Sequence, residues 1–450
     1  MNIIKKSSES EARITSISIG DKTRTTPFVL NYTKQGAVPH LVAKNNVDVN
    51  IAAEQFIDLI QHTSHNNRDD KPLDWNRCFR DYLGYKENAL LVLSPTDLNR
   101  IVKEKEWVKG TVKGIGMSSN GSVQLSVIPT MFSTLINLAN PDLCILGDPQ
   151  LAIYNPIHNF QNLESQPLVL SKNQERKAKN RWIEWILSLI TNQKVSYPVW
   201  ACVPGASDVF IKENAIEMTT QLDSLVSGYG IYLPTVSYQS FNNQDLNVLK
   251  ENDKFSTMRD TFTRNLKSFT SNIPESKPRA LFAIQSFEDV VIAIREGIDV
   301  IENSWLEPLT LQGKALFVSF KTPLKLSKIG ETKDDESIVI YHKHSMLFDM
   351  SKKKPQQENT ELISKTNSVW QKDLRPLALN CQCWTCQKPH TRAYIHHLFC
   401  VNDMLSYVML YEHNLHQLNS FVQEIRESIE TDQFDTFARA FLASSTSNKL

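Results

Sequence analysis

Three of the seven cysteines in this chain stand within six residues, at Cys381, Cys383 and Cys386, and no other feature constrains its fold so narrowly. Thiolates at Cys-x-Cys-x-x-Cys spacing can all come from one turn, but one turn cannot close a tetrahedron. The fourth ligand must arrive from elsewhere. A helix beginning near Asn402 brings His413 or His416 to the turn. This pattern predicts a closed Cys3His zinc site, in which four protein ligands leave no position for water. Such a metal is structural: it folds a module and does no chemistry. A redox Cys-x-x-Cys pair would leave the third cysteine and the histidines unexplained. Iron–sulfur ligation lacks a fourth cysteine at ferredoxin spacing, Cys400 being the one candidate.

A chain of 450 residues can bury a large core and form two or three domains. Lysine plus arginine equals aspartate plus glutamate at 49 each, so no net field steers the chain to nucleic acid, and any RNA contact must be local. The remaining cysteines, Cys78, Cys144, Cys202 and Cys400, are scattered without a disulfide framework, as suits a reducing compartment. The first residues have too short an apolar run for a signal peptide, and nowhere do eighteen apolar residues run together. The expectation is a soluble, intracellular, cytoplasmic protein.

From Pro27 onward short apolar runs alternate with amphipathic stretches. The candidate strands are Phe28–Tyr32, Ala89–Ser94, Ser122–Val127, Asp142–Gly147, Val199–Val203, Gly230–Leu233, Ala280–Gln285, Ile298–Glu302 and Ala315–Phe320. Helical spacing is visible in Ile51–Gln61 and in Asn173–Ile190, where Trp182 and Trp185 read as packing residues. The cleanest unit is Ala280–Glu302: a buried strand, Ser286 with Asp289 as a capping pair, a helix lined by Val290, Val291 and Ile294, Gly297 at its end, and a returning strand. Repeated alternation of this kind implies a parallel sheet. Eight or more strands without a Gly-x-Gly-x-x-Gly turn favour an α/β fold of the closed (β/α)8 TIM-barrel type. The expected division is a barrel over residues 1–335, then a hairpin (Ile338–His342 with Met346–Met350), a polar loop from Ser351, the zinc module and C-terminal helices over 336–450.

The cysteine turn, Thr391-Arg-Ala-Tyr-Ile-His-His-Leu398 and His413-Asn-Leu415 together resemble the zinc module of the tRNA-guanine (queuine) transglycosylases. Trp370-Gln-Lys-Asp373-Leu-Arg375-Pro376 and Ser286–Glu302 support the likeness, and Asn31–Leu41 is a looser match. The resemblance implies that Cys381, Cys383, Cys386 and His413 bind one structural Zn2+ per chain. It also implies a (β/α)8 barrel that exchanges guanine in a tRNA anticodon for a modified base through a covalent ribosyl intermediate.

That reaction needs a carboxylate nucleophile, an acid/base partner and a pocket for the purine. The nucleophile of Gly-Val-Asp-x-Phe-Asp corresponds to Glu302 in Gly297-Ile-Asp-Val-Ile-Glu302, one methylene longer, a displacement that can cost about a hundredfold. The loop Asn303–Gln312 holds no cation. Asp-Ser-Gly-Gly-Phe-Gln has no counterpart beyond Leu93-Ser94-Pro95-Thr96-Asp97, Gln-Gly-Gly becomes Val203-Pro204-Gly205-Ala206, and the base-pocket turn becomes Gly230-Ile-Tyr-Leu-Pro234. Asp148 stands where a base-recognising aspartate would. Scaffold and zinc module persist while the catalytic motifs are eroded, so the resemblance implies a non-catalytic accessory chain. Its expected catalytic residues are none, with Glu302 a degenerate nucleophile position. Its expected partners are a catalytic paralogue, in a heterodimer formed through the zinc module and the long helix, and tRNA. The alternative is a self-sufficient transglycosylase using Glu302. The basic cluster Arg176, Lys177, Lys179 and Arg181 reads as a solvated helix face. Peripheral attachment to the mitochondrial outer membrane is a further expectation from the resemblance.

Overall fold

Eight short parallel strands close into a barrel in the computed structural model. The structure describes residues 1–41, 48–53, 56, 75–95, 115–119, 123–127, 129–146, 183–192, 196–205, 208–233, 251–318, 345–350, 370–388 and 390–446. It comprises two compact units, one of Met1–Val38 with Val42–Ser304 and one of Pro39–Leu41 with Trp305–Leu450. The expected boundary at residue 335 lies outside the described residues.

The first unit opens with an antiparallel meander of β1 (Asn2–Lys6), β2 (Arg13–Ile19) and β3 (Lys22–Thr25). The barrel follows as β4 (Phe28–Tyr32), β5 (Val49–Ala52) and β6 (Leu91–Ser94). After β6 the chain makes a separate hairpin of β7 (Ile115–Ser119) and β8 (Val123–Val127). The barrel resumes with β9 (Leu143–Leu146), β10 (Val199–Pro204), β11 (Gly228–Tyr232), β12 (Arg279–Phe282) and β13 (Val300–Glu302), which pairs with β4 to close the ring.

The expected (β/α)8 barrel is therefore present, with two of the nine candidate strands outside it. Ser122–Val127 pairs with its neighbour instead: only three residues separate β7 from β8, and a parallel pair needs a crossover of a dozen or more. Ala315–Phe320 supplies β14 (Lys314–Val318) of the second unit, since β13 has already closed the ring. The eighth barrel strand is β5, whose Ile51 shares the spacing of the following helix and so reads as part of it in sequence. Strand meets helix there without a loop.

The βαβ unit forms as its residues dictate. Ser286 caps the Phe287–Arg295 helix by accepting the Asp289 N–H at 3.1 Å, and Gly297 ends it at φ +86°, where a side chain would be strained.

The meander closes the N-terminal end of the barrel. Ile17 and Ile19 join the interior core with Phe28, Leu90, Leu143 and Trp200. Three aspartates, each directly preceding a barrel strand, receive three meander cations. Arg24 holds Asp48 through two 2.6 Å bonds, Lys22 holds Asp142 at 2.5 Å, and Arg13 holds Asp299 at 2.7 and 3.0 Å. Each carboxylate also accepts a backbone N–H from an adjoining strand segment, of Leu90, Leu91 and Arg279 respectively. Burial raises the Asp299 pKa above the ordinary carboxylate value, with Arg13 opposing the rise. Barrels of this type carry their sites at the other, C-terminal end.

In the second unit β14 pairs antiparallel with β15 (Ser345–Asp349). Ile338–His342, the other half of the expected hairpin, and the loop from Ser351 lie outside the described residues. Helices Arg392–Cys400, Met404–Glu430 and Phe434–Thr446 complete the unit, Asp403 capping the long one at the Leu405 N–H. Its core gathers Ala315, Phe317, Met350, Leu377, Ile395 and Met409.

Candidate metal centre

The cysteine turn is held in place before any metal is considered. Cys383 caps the one-turn helix Trp384–Gln387, its sulfur accepting the Cys386 N–H at 3.2 Å. The two other N–H groups at that helix start, of Trp384 and Thr385, donate to the two oxygens of Glu412 at 3.0 and 3.1 Å. Glu412 thus fixes the turn to the long helix one residue before His413. Upstream, Asp373 accepts from Arg375 at 2.7 and 2.8 Å and from Arg392 at 3.2 Å, while Arg392 also bonds the carbonyls of Pro376 and Leu377. Burial pushes the Asp373 carboxyl up, but the Arg375 hydrogen bonds and the Arg392 charge outweigh it and hold it below its ordinary value.

Cys381, Cys383, Cys386 and His413 come together, their ligand atoms all within 4.8 Å of one another. His413 is fully buried. Its Nε2–H donates to the Leu316 carbonyl at 2.9 Å, so Nδ1 is the ring nitrogen that faces the sulfurs. Nδ1 lies 3.8, 3.5 and 3.5 Å from the sulfurs of Cys381, Cys383 and Cys386. Bond lengths for a tetrahedral zinc bound by three sulfurs and one nitrogen imply separations of about 3.5 Å. The donor set and its dimensions therefore fit a metal ion. Hydrogen bonds from Cys383 and Cys386 hold Cys381 well below the ordinary thiol range, while the contact with Cys381 pushes Cys383 up. Burial pulls the His413 imidazole down, but Cys381 and Cys386 lift it to about 9. A cation bound there would relieve this crowding of sulfurs and imidazole. His416, the other histidine the helix offered, engages Ser420 Oγ at 3.3 Å and lies outside the group.

Two neighbours of the ligands are not singled out by the sequence. Asn414 accepts the Leu316 N–H at 2.8 Å and donates to the Lys314 carbonyl at 2.9 Å. Gln417 accepts the Val318 N–H at 3.1 Å and donates to Cys381 Sγ at 3.4 Å. The signal for Gln417 is its place one turn after His413; the signal for Asn414 is its adjacency.

Glu302 ends β13 at the C-terminal mouth of the barrel, 1% exposed, its Oε2 accepting the Ser304 N–H at 3.0 Å. Beside it the interior is filled. Phe282 and Cys202 occupy the space over Gly230, while Trp200 fills that over Gly228 at the opposite, N-terminal ends of β10 and β11. Tyr232 covers Phe282 with ring centroids 4.9 Å apart and is 2% exposed. Asp148, Asp97 and the Arg176–Arg181 cluster lie outside the described residues.

A family model described as queuine tRNA-ribosyltransferase matches residues 168–447. The chain belongs to the queuine tRNA-ribosyltransferase family. Among its curated relatives, a Drosophila grimshawi protein named queuine tRNA-ribosyltransferase accessory subunit 2 is 22% identical over 452 residues, spanning 100% of this chain and 93% of its own length. Proteins of the same name from Pongo abelii and Homo sapiens are each 32% identical, over 180 and 177 residues. Those matches cover 39% and 38% of this chain and 42% and 41% of the relatives. Within the family frame, the metal group and the closed barrel are both in place, and no described helix is long and apolar enough to cross a membrane.

Proposed function

We propose that this chain is a non-catalytic accessory subunit of a queuine tRNA-ribosyltransferase. It pairs with a catalytic paralogue and helps hold tRNA while that partner exchanges guanine for queuine at the anticodon wobble position. The observation that carries this reading is the state of Glu302. A nucleophile must present its oxygen to a ribose carbon, whereas this carboxylate is sealed at 1% exposure and engaged by a backbone N–H. The names of the relatives support the same reading.

Cys381, Cys383, Cys386 and His413 would hold one Zn2+, coordinatively closed and structural. The metal module and the long helix form the heterodimer face in this proposal. Trp384 (45% exposed), Tyr394 (41%) and Met404 (80%) offer the apolar surface such a face requires. Peripheral attachment to the mitochondrial outer membrane is part of the same proposal, by way of the family likeness.

The deciding experiment assays labelled queuine incorporation into tRNA by the purified chain alone and with its paralogue. Turnover only in the mixture is the expected result. Robust turnover by the chain alone, abolished by Glu302→Gln, would instead establish a self-sufficient enzyme.

A further inference from the structure

We infer that Gln417 is a positioning residue for the metal, stabilising the Cys381 thiolate through an N–H···S hydrogen bond. The inference rests on the metal reading of the Cys3His group and extends it to a residue outside the ligand set. The amide orientation is dictated by chemistry. The Val318 N–H can only donate, so the Gln417 oxygen must face it, and the amide nitrogen is left facing Cys381 Sγ. The contacts are 3.1 and 3.4 Å, and the side chain is almost wholly withdrawn from solvent, at 8% exposure.

Two of the sulfurs accept an N–H, from different elements. Cys383 receives the Cys386 N–H from within its own turn. Cys381 precedes the one-turn helix and receives its N–H from the long helix, one turn beyond His413. A thiolate in a poorly solvated site holds its charge through such donors, and partners outside the ligand set commonly change metal affinity by about 10- to 100-fold. Gln417 therefore joins the edge of β14 to a metal ligand, just as His413 joins the same strand to the metal through Leu316.

The test separates the sulfur contact from the strand contact. Gln417→Glu keeps an oxygen for the Val318 N–H and, once ionised, presents a second oxygen to the sulfur; burial beside a thiolate raises a carboxyl pKa, so this variant is followed up to about pH 10. Gln417→Met removes both bonds at similar volume. Zinc-loaded full-length chains are mixed with a chromogenic chelator, and the sulfur-to-cobalt charge-transfer band is recorded after Co2+ substitution. Both variants should release zinc about 10- to 100-fold faster than the parent, with a shifted band. Parental release and an unshifted band in Gln417→Glu would show that Gln417 serves only the strand, and would overturn the inference. A parent chain that binds no zinc at all would instead refute the metal reading beneath it.

Discussion

His413 donates its Nε2–H to the carbonyl of Leu316 at 2.9 Å, and this bond fixes which ring nitrogen faces the three sulfurs. A strand of the second unit thereby orients the ring for the metal role proposed above. In the proposed metal-bound chain, binding and folding of this unit are linked. In small zinc modules such binding is worth about 10–16 kcal/mol, so half of that already matches the lower end of an ordinary domain's stability margin, about 5–15 kcal/mol. Cys383→Ser or His413→Ala should lose the metal, melt residues 370–446 and abolish pairing with the paralogue. Elemental analysis, calorimetry and co-purification check this. Retained pairing by a metal-free Cys383→Ser chain would detach the interface from the metal.

Arg13 and Asp299 form a two-pronged ion pair whose side chains are 1% and 0% exposed. Removing one partner leaves the other charge buried, a loss of about 3–5 kcal/mol, whereas replacing both with apolar residues can be neutral. Urea denaturation of Arg13→Met should show a loss of that size. Arg13→Met with Asp299→Leu should recover most of it. A double variant as unstable as the single one would mean that the 2.7 Å bond from Arg13 to the Glu275 carbonyl matters more than the ion pair.

The Cys3His group is legible in sequence because three of its members fall in one turn and the fourth on one helix face, both local patterns. The barrel is legible as alternation, and seven of its strands lie where the apolar runs predict them. Partner choice is not legible. Val123–Val127 and Lys314–Val318 have the composition of barrel strands, and only their antiparallel pairing sets them apart. The meander escapes notice because Arg13-Ile-Thr-Ser-Ile-Ser-Ile19 reads as polar until its partners are known. The carboxylate that neutralises Arg13 is 286 residues away. Gln417 is hidden for the same reason: its role depends on a strand that begins about a hundred residues earlier.

Asp373 gives the second unit a signed dependence on pH. Its folded pKa lies below the ordinary 3.8, because the Arg375 and Arg392 contacts outweigh burial. A lowered carboxylate contributes stability that is complete above its unfolded pKa and is lost as pH falls through the folded one. Asp299 has the opposite sign: its folded pKa is raised by burial, so its contribution is complete below 3.8 and fades as pH rises through the folded value. Asp373→Asn should therefore lower stability at neutral pH and flatten the acid limb of the curve, as followed by thermal melts from about pH 3 to 7. An unchanged acid limb would place the acid sensitivity elsewhere.

In the proposed reading Glu302 is one methylene longer than the family nucleophile, which invites the idea that shortening it would restore chemistry. The barrel mouth argues otherwise. Phe282 fills the space over Gly230 and Tyr232 covers Phe282, so the interior level with Glu302 is already filled by protein. Shortening the side chain would also withdraw the oxygen that accepts the Ser304 N–H, at a cost of about 1–3 kcal/mol for the group left without its partner. Glu302→Asp alone should show no guanine exchange into tRNA, a modestly lowered melting temperature and undiminished support of the catalytic paralogue. Measurable exchange by the isolated Glu302→Asp chain would mean that the aromatic filling yields to substrate and that the barrel has kept a working pocket.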